Sequence, residues 1–459
     1  MASSYTNNIV VAFLLLICGI FYIDSTLTAA ATVRTLIAPI SYDAATSLYT
    51  LTLATPSPRG GGPLLLELDN SNLWVDCVNP NPYSSPSFKP VLCNNTKACT
   101  AAESCTVFIC ASAGCLDDNC YPGNIFAYPA CSNRTCSSWA SVTEVGTLAT
   151  SVWMDRVSLL ATDGARLVRP SVTMPEFSFL CGDNTLLVSD RIKLPAGVVG
   201  GTGLSRAPIA LPSQISAKIP TVARKFAYCL PSVPEPERGV IFFGDGPYVF
   251  FGGANKLDLS KLLTYTPLKT YSREKDAYFL TVQSISVDGL ALPIDPAYFS
   301  ATKKRNKTTS FVGGTRFSSG NPYTLLTPPV YDILASRFEK ACVSRGIKPA
   351  PAIAPFEHCF SSASARASKL GFDVPTIDIV LKKKAKWRIV GANSVIKVNK
   401  DVFCLAFRKT DQYEGRSIVI GTFQQQNAFF QFDLVRSRLG VIPTLLTLNT
   451  TCSTFNFAY

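Results

Sequence analysis

The chain has 459 residues, of which 43 are basic and 31 acidic, so its formal net charge is +12. This length exceeds what one hydrophobic core usually serves and favours two structural units. Charged residues make up only 16% of the chain and hydrophobic residues 47%, which suits a large all-β protein with much buried sheet. The basic excess favours acidic partners. The same excess could serve nucleic acid, but the secretion predicted next argues against it.

The N-terminal segment has the features of a secretory signal. An uncharged apolar run covers residues 9–23, which is shorter than the roughly 20 residues that span a bilayer. Ala29, Ala30 and Ala31 follow it, as a signal-peptidase site requires, although no Lys or Arg precedes the run. We therefore predict a cleaved signal peptide over residues 1–31, secretion, and no membrane attachment of the mature chain.

Strand patterns follow in chain order. Residues 47–55 alternate apolar and polar side chains and end at a PSPRGGG turn, and residues 63–77 continue as strand, irregular loop and strand. Later strand-like runs continue towards the C-terminus, whereas helical patterns are confined to residues 330–345 and a segment after Pro208. The pattern predicts an all-β fold with a few short helices. The runs GVVG (197–200) and IVIG (418–421) indicate a weak internal duplication.

Cysteine usage indicates a disulfide framework. Of 16 cysteines, one lies in the predicted signal peptide, nine lie between Cys77 and Cys136, and six follow. A zinc site is the alternative, but the spacings contain no CxxC and His358 is the only histidine. We therefore predict disulfides and neither metal nor cofactor. The odd count of the mature chain leaves at least one thiol unpaired, and Cys342, in the predicted helix, is the candidate.

Four sequons also fit a secreted glycoprotein. They place predicted glycosylation at Asn94, Asn133, Asn306 and Asn449. Two short basic runs, at residues 303–307 and 382–386, are read as solvated loops, or alternatively as attachment points for an acidic cell-wall polysaccharide such as pectin.

Several longer motifs occur in order through almost the whole mature chain. They are LWVDC (73–77), GVVGGTGLSRAPIALPSQ (197–214), RKFAYCL (224–230), GGTRFSSGNPYT (313–324), SIVIGTFQQQNAFFQFDL (417–434) and CSTFNF (452–457). In these motifs the sequence resembles a plant aspartic-protease-like family. That family includes extracellular dermal glycoprotein, basic 7S globulin, γ-conglutin, TAXI-type xylanase inhibitors and xyloglucan-specific endoglucanase inhibitor proteins. The resemblance implies a pepsin-like fold with two lobes, residues 32–250, which carry a Cys-rich insertion at 77–136, and residues 251–459.

The catalytic positions of this fold are altered. Aspartic proteolysis needs two carboxylates about 3 Å apart that share one proton. By resemblance, the first aspartate lies seven residues before Trp74, where this chain has Glu67. Asp69 could occupy that position only with a two-residue deletion. The RFSSG motif places Ser318 at the second aspartate, so we expect no protease activity. No tyrosine lies in residues 132–148, where the family's flap is expected.

The resemblance implies that the chain is a secreted inhibitor of a microbial cell-wall glycoside hydrolase, either a xylanase or a xyloglucan endoglucanase, in plant defence. It also implies a location in the apoplast or cell wall. The alternative is a storage or signalling globulin that binds peptide or wall polymer without inhibition. An inhibitor of this kind can insert a cation between the hydrolase's two carboxylates. Loop positions similar to the family's suggest Arg416 or Lys348 for that contact. We also expect the disulfides Cys229–Cys452 and Cys359–Cys404.

Overall fold

The computed structural model describes residues 33–54, 62–68, 70–78, 82–102, 131–132, 135–142, 146–182, 194–232, 237–253, 255–271, 274–303, 311–410 and 415–458. The predicted signal peptide, Asp69, and the sequons at Asn133 and Asn306 lie outside these residues. Asn94 and Asn449 are exposed, as glycosylation at those positions would require. Within the described ranges, no helix is long and apolar enough to cross a membrane.

Strands dominate both halves of the chain. The first half contains β1 (Thr35–Asp43), β2 (Leu48–Thr52), β3 (Pro63–Leu65), β4 (Trp74–Asp76), β5 (Lys89–Pro90), β6 (Cys131–Ser132), β7 (Thr135–Val142), β8 (Gly146–Thr162), β9 (Leu167–Gly182), β10 (Gly200–Gly201), β11 (Lys225–Cys229), β12 (Gly239–Gly244), β13 (Val249–Gly252) and β14 (Asn255–Asp258). The second half contains β15 (Thr264–Tyr271), β16 (Glu274–Leu280), β17 (Val282–Val287), β18 (Leu290–Ala291), β19 (Thr302–Lys303), β20 (Phe311–Val312), β21 (Thr315–Phe317), β22 (Thr324–Leu326), β23 (Pro349–Ala350), β24 (Cys359–Ser361), β25 (Ala367–Ser368), β26 (Gly371–Phe372), β27 (Ile377–Leu381), β28 (Lys386–Ile389), β29 (Val395–Lys397), β30 (Val402–Leu405), β31 (Phe407–Lys409), β32 (Ile418–Ile420), β33 (Phe429–Asp433) and β34 (Arg438–Ile442).

Helices are short apart from one. They are α1 (Thr96–Ala101), α2 (Leu211–Lys218), α3 (Pro328–Ser344), α4 (Gly391–Ser394) and α5 (Thr422–Gln425), together with 3-10 turns at Leu259–Lys261, Pro296–Phe299, Ser362–Ser364, Lys382–Lys384, Leu445–Leu448 and Cys452–Thr454. Both predicted helical segments are present, as α2 and α3. Proline in the first turn of each suits a helix start, because the first N–H groups have no partner within the helix.

A six-stranded antiparallel sheet joins the two halves in the order β1-β12-β11-β33-β34-β15. The pairing of β11 with β33 brings residues about 200 positions apart into register, for example Phe226 opposite Phe432. Their rings stack at a centroid distance of 4.7 Å, and Tyr278 packs on Phe432 at 4.6 Å. This aromatic core is buried and is shared by the two lobes.

Each lobe repeats one arrangement of strands. In the first, β10 runs parallel to β3 and antiparallel to β4. In the second, β32 runs parallel to β21 and antiparallel to β22. In the first lobe β3 and β4 stand before and after an irregular loop, and β10 pairs with both of them. In the second lobe β21 and β22 flank the equivalent loop, and β32 pairs with both. The predicted duplication is present, but its first run is displaced: IVIG contains all of β32, whereas GVVG overlaps β10 only at Gly200. The fold is the pepsin-like one expected.

Disulfides fix the chain at four described places. Cys77 is bonded to Cys181 and Cys99 to Cys136 in the first lobe. Cys229 is bonded to Cys452, with Cα atoms 5.2 Å apart, and Cys359 to Cys404, with Cα atoms 3.9 Å apart. The first of these pairs ties the C-terminal tail to β11, and the second closes the pairing of β24 with β30.

Cys342 is a free thiol on the buried face of α3. Burial raises the pKa of this thiol to about 12. The thiolate is the reactive form of cysteine, so the folded protein keeps this sulfur inert.

Candidate functional site

The loop of the first lobe begins at Glu67, two residues after the end of β3. The Glu67 side chain is 0% exposed. Its Oε2 accepts hydrogen bonds from Asn70 Nδ2 at 2.9 Å and Trp74 Nε1 at 3.1 Å. A Cβ on Gly201 would lie 2.0 Å from Oε2, so only glycine in the crossing strand leaves room for this carboxylate. The longer side chain is therefore accommodated by turning it inwards against Trp74.

The backbone around Glu67 is held by the crossing strand as well. The Glu67 N–H donates to the Thr202 hydroxyl at 3.1 Å, and that hydroxyl donates to the Leu65 carbonyl at 3.1 Å. The Leu204 N–H donates to the Glu67 carbonyl at 3.1 Å. The TGL segment after GVVGG thus holds the start of the loop through the Thr202 hydroxyl and the Leu204 N–H.

The loop of the second lobe begins at Ser318, directly after β21, and Ser318 is also 0% exposed. Its Oγ accepts from the N–H groups of Gly320 and Asn321, both at 3.2 Å, and from Asn321 Nδ2 at 3.1 Å. The Ser318 carbonyl accepts from Gln425 Nε2 at 2.9 Å. The hydroxyl therefore holds its own loop closed by accepting from donors that could equally bind a carboxylate oxygen.

One hydrogen bond crosses between the loops and sets their correspondence. The Leu68 N–H donates to Ser319 Oγ at 3.0 Å. Because Leu68 faces Ser319, the residues before them, Glu67 and Ser318, occupy equivalent places in the two lobes. The reciprocal bond is lacking, since Leu68 has no hydroxyl to offer the second loop. A carboxylate and an alcohol cannot share a proton near neutral pH in the way that two carboxylates do.

Comparison with known proteins places this geometry in one family. The xylanase inhibitor N-terminal family matches residues 49–245, and the xylanase inhibitor C-terminal family matches residues 277–442. The chain belongs to the xylanase inhibitor family. Members of this family are secreted plant proteins and seed globulins with an aspartic-protease-like fold.

Individual relatives carry different functional names. The "Probable aspartic proteinase GIP2" of Nicotiana benthamiana is 34% identical over 96% of this chain and 97% of its own length. "Gamma conglutin 1" of Prunus dulcis is 33% identical over 92% and 89%. Among solved structures, the crystal structure of edgp matches with a TM-score of 0.79 and 32% identity, covering 93% of this chain and 99% of the other. The family and fold are therefore shared, while a protease, a seed globulin and a xylanase inhibitor all appear among the names.

The first lobe also contains a long hairpin. It consists of β7 and β8, which pair from Ser137 opposite Ser151 to Val142 opposite Gly146. Strand β8 pairs on its other side with β9. This hairpin matches the family's flap in position along the chain and lacks a tyrosine at residues 132–148.

The expectation that Arg416 is an exposed loop cation is wrong. Arg416 is only 4% exposed. Its guanidinium lies 4.9 Å from the ring centroid of Phe279, and Nη1 donates to the Gly313 carbonyl at 3.3 Å. The residue comes directly before the core strand β32, so its side chain packs under the sheet edge. In this conformation it cannot reach a partner's active site.

Lys348, the other predicted contact, is exposed at the base of a rigid loop. The loop PAPAIAP at 349–355 is mostly exposed and ends at Phe356, which is buried. The Phe356 ring packs edge-on against Tyr323 with centroids 4.9 Å apart. Because Tyr323 closes the irregular loop that begins at Ser318, this contact fixes the proline-rich loop next to the second central loop.

Arg408 is a cation that the sequence interpretation passed over. In β31 the side chain of Phe407 is buried, while Arg408 is exposed. β31 runs parallel to β22 with Arg408 opposite Leu325, two residues from Tyr323. Burial raises the pKa of Tyr323, and the Arg408 charge opposes that rise, which places the two side chains within electrostatic reach. The alternation of buried and exposed side chains along a strand, applied to the segment FRK at 407–409, would have predicted Arg408 as the outward-facing cation.

The next residue differs in its surroundings. Lys409 Nζ lies 3.0 Å from Asp332 and 3.1 Å from Glu357, so its charge is already balanced. Arg408 has no acidic partner in the part of the chain that the structure describes. Of these two neighbouring cations, only Arg408 is therefore available to a carboxylate of another molecule.

Proposed function

We propose that this protein is a proteolytically inactive inhibitor of a microbial cell-wall glycoside hydrolase, a xylanase or a xyloglucan endoglucanase. The observation that carries the proposal is the match of both halves of the chain to the xylanase inhibitor family. The two altered central loops are consistent with it. A protein that binds a hydrolase from outside needs a stable two-lobed body and no proton-sharing carboxylate pair.

Inactivity has its own test. The pure protein should not cleave denatured haemoglobin between pH 2 and pH 7 and should not bind pepstatin tightly. Both follow from Ser318, whose hydroxyl cannot act as the second acid of the pair. Pepstatin-sensitive cleavage that disappears in Glu67→Gln would instead show that Glu67 works as a catalytic acid.

We place the inhibitory contact on Arg408 and the proline-rich loop at 348–355. A loop held by prolines and by the Phe356–Tyr323 contact loses little conformational freedom on binding, which favours affinity. An arginine can bridge the two carboxylates of a retaining glycosidase, about 5–5.5 Å apart, with paired charge-assisted hydrogen bonds. Lys348 lies at the base of the same loop and offers a second charge.

The test compares single variants in an inhibition assay against one xylanase and one xyloglucan endoglucanase. Arg408→Ala should weaken inhibition of the susceptible enzyme by at least about 2 kcal/mol, the scale for truncating a buried charge pair at an interface. Lys348→Ala should have a smaller effect. Lys397→Ala, an exposed lysine on β29, is the matched control and should inhibit like the wild type.

The outcomes separate the two parts of the proposal. If Arg408→Ala and Lys348→Ala each inhibited as strongly as the wild type, the inhibitory contact would have to lie elsewhere. The proposed inhibitor function would then still hold. A wild-type protein that inhibits neither enzyme at micromolar concentration would overturn the function itself. The similarity to gamma conglutin would then favour the alternative, a storage or signalling globulin that binds peptide or wall polymer without inhibition.

A further inference from the structure

A concentrated basic surface lies where the turn between β33 and β34 meets the turn between β27 and β28. We call it the basic face and define it by Lys382, Lys383, Arg436 and Arg438. Lys382, Lys383 and Arg436 are exposed, and Arg438 is partly exposed. The sequence interpretation noticed only the lysine run, because the arginines lie more than 50 residues further along.

Strand β15 brings the two turns together. The Lys382 carbonyl accepts a hydrogen bond from the Thr266 hydroxyl at 3.2 Å. The next residue, Pro267, is paired with Arg438, and the Leu268 N–H donates to the Ser437 carbonyl at 2.9 Å. The two turns thus contact consecutive residues of β15, so their cations form one surface.

The acids near this surface do not balance it. Asp433 is buried and contacts three cations: Arg438 at 3.0 Å, and Lys225 and Arg436 at 3.6 Å each. Burial alone would raise the pKa of Asp433, but the Arg436 N–H and the charges of Lys225 and Arg438 hold it below its usual value. Asp245 adds one more carboxylate, which lies 2.6 Å from Lys225. Two carboxylates therefore serve three cations, and the two lysines of the other turn come in addition.

Two further arginines lie behind the basic face without an acidic partner in the described residues. Arg206 Nη1 donates to Ser437 Oγ at 2.9 Å, while its buried Nε and Nη2 have no hydrogen-bond partner. Arg224 Nε donates to Ser213 Oγ at 2.9 Å, and its Nη2 donates to the Arg206 carbonyl. Charges in such partly buried positions are poorly screened, so they strengthen the positive potential over the neighbouring turn.

We propose that the basic face binds an acidic polysaccharide of the polyuronate type, a linear chain with a carboxylate on each sugar. Several exposed cations on one surface suit such a ligand, because each contact is weak and the repeating charges add up along the chain. Single-stranded nucleic acid is generally bound with bases stacked on aromatic rings. Among the residues whose solvent exposure the structure describes, none of the exposed ones is aromatic. The basic face therefore offers no exposed ring for base stacking, which favours the polysaccharide.

The experiment measures binding of the full-length mature protein to polygalacturonate by calorimetry at low and physiological salt. The variant Lys382→Gln/Lys383→Gln/Arg436→Gln removes three charges but retains Arg438 and Lys225 at Asp433. The control Arg366→Gln/Lys397→Gln/Lys400→Gln removes three exposed charges elsewhere on the second lobe. We expect the first variant to bind at least tenfold more weakly and with a shallower dependence on salt, and the control to change by less than threefold.

Two matched ligands make the assignment exclusive. Fully methyl-esterified polygalacturonate has the same backbone without the charges and should not bind. Equal loss in both triple variants would mean that only net charge matters and would overturn a defined site. Equal binding of the esterified polymer, or tighter binding of single-stranded DNA that the first variant also loses, would overturn the ligand class. Hydrolase inhibition should be the same in both triple variants, so this test is independent of the proposed function.

Discussion

The two central loops hold different residues where the resemblance to aspartic proteases implies an aspartate, and the two side chains are hydrogen-bonded in different ways. In the first, Glu67 retains a carboxylate and turns it inwards onto Trp74 and Asn70. In the second, Ser318 gives up the carboxylate, and its hydroxyl accepts the loop's own N–H groups. The difference teaches that a buried side chain at the start of such a loop can stabilise it in two ways, as an acceptor for other side chains or as an acceptor for backbone N–H groups.

The largest expected effect is that of Glu67→Ala. The change removes the acceptor of two buried donors and leaves a cavity beside Gly201, so we expect a loss of about 3–5 kcal/mol in the free energy of unfolding. The shift of the urea midpoint, with disulfides intact, measures it. Glu67→Gln preserves the volume and one acceptor oxygen and should lose less. A Glu67→Ala protein within about 1 kcal/mol of the wild type would remove the structural role assigned to this carboxylate.

Ser318→Ala should have a smaller effect, because backbone donors near a loop can regain part of their hydrogen bonding by small shifts or from water. We expect a loss of about 2 kcal/mol in the same measurement. Ser344→Ala, an exposed serine at the end of α3, controls for the substitution itself and should stay within about 0.5 kcal/mol. If Ser318→Ala lowered the free energy of unfolding as much as Glu67→Ala or more, the expected ranking of the two loops' contributions to stability would be wrong.

The bond that crosses between the loops should contribute least. Ser319→Ala leaves the Leu68 N–H without its acceptor, for an expected loss of about 1 kcal/mol. Ser319→Thr keeps the hydroxyl and is the matched control. In the double variant with Glu67→Ala, the two losses should not add, because Leu68 adjoins Glu67 and both changes loosen one loop. Strict additivity would show that the lobes' loops behave independently.

The fold could be predicted well from the sequence because the motifs that indicate it are spread along the whole mature chain. Long motifs such as GVVGGTGLSR and SIVIGTFQQQ place a crossing strand in each lobe, and no single residue decides the result. The surface contact was harder to predict. Arg416 and Arg408 belong to the same RKTDQYEGR stretch, but Arg416 packs on Phe279 whereas Arg408 points outwards from β31. Only the packing beneath a loop decides which cation is accessible, and a sequence pattern does not contain that packing.

The basic face illustrates the same limit from another side. The lysines at 382 and 383 were visible as a run, yet their meaning depends on Arg436 and Arg438, which β15 brings beside them. Charge clusters built from distant segments are invisible to local reading, because the sheet register determines which residues become neighbours.

The buried thiol of Cys342 provides a natural reporter of motion. Because only the thiolate attacks an alkylating reagent, and burial keeps that form rare, the sulfur can react only when α3 lifts from the lobe beneath it. The rate at which the peptide that contains Cys342 gains an alkyl group, followed by mass spectrometry, thus reports opening of the second lobe. A ligand that stabilises this lobe would lower the alkylation rate of Cys342, and the measurement requires no dye, label or engineered cysteine.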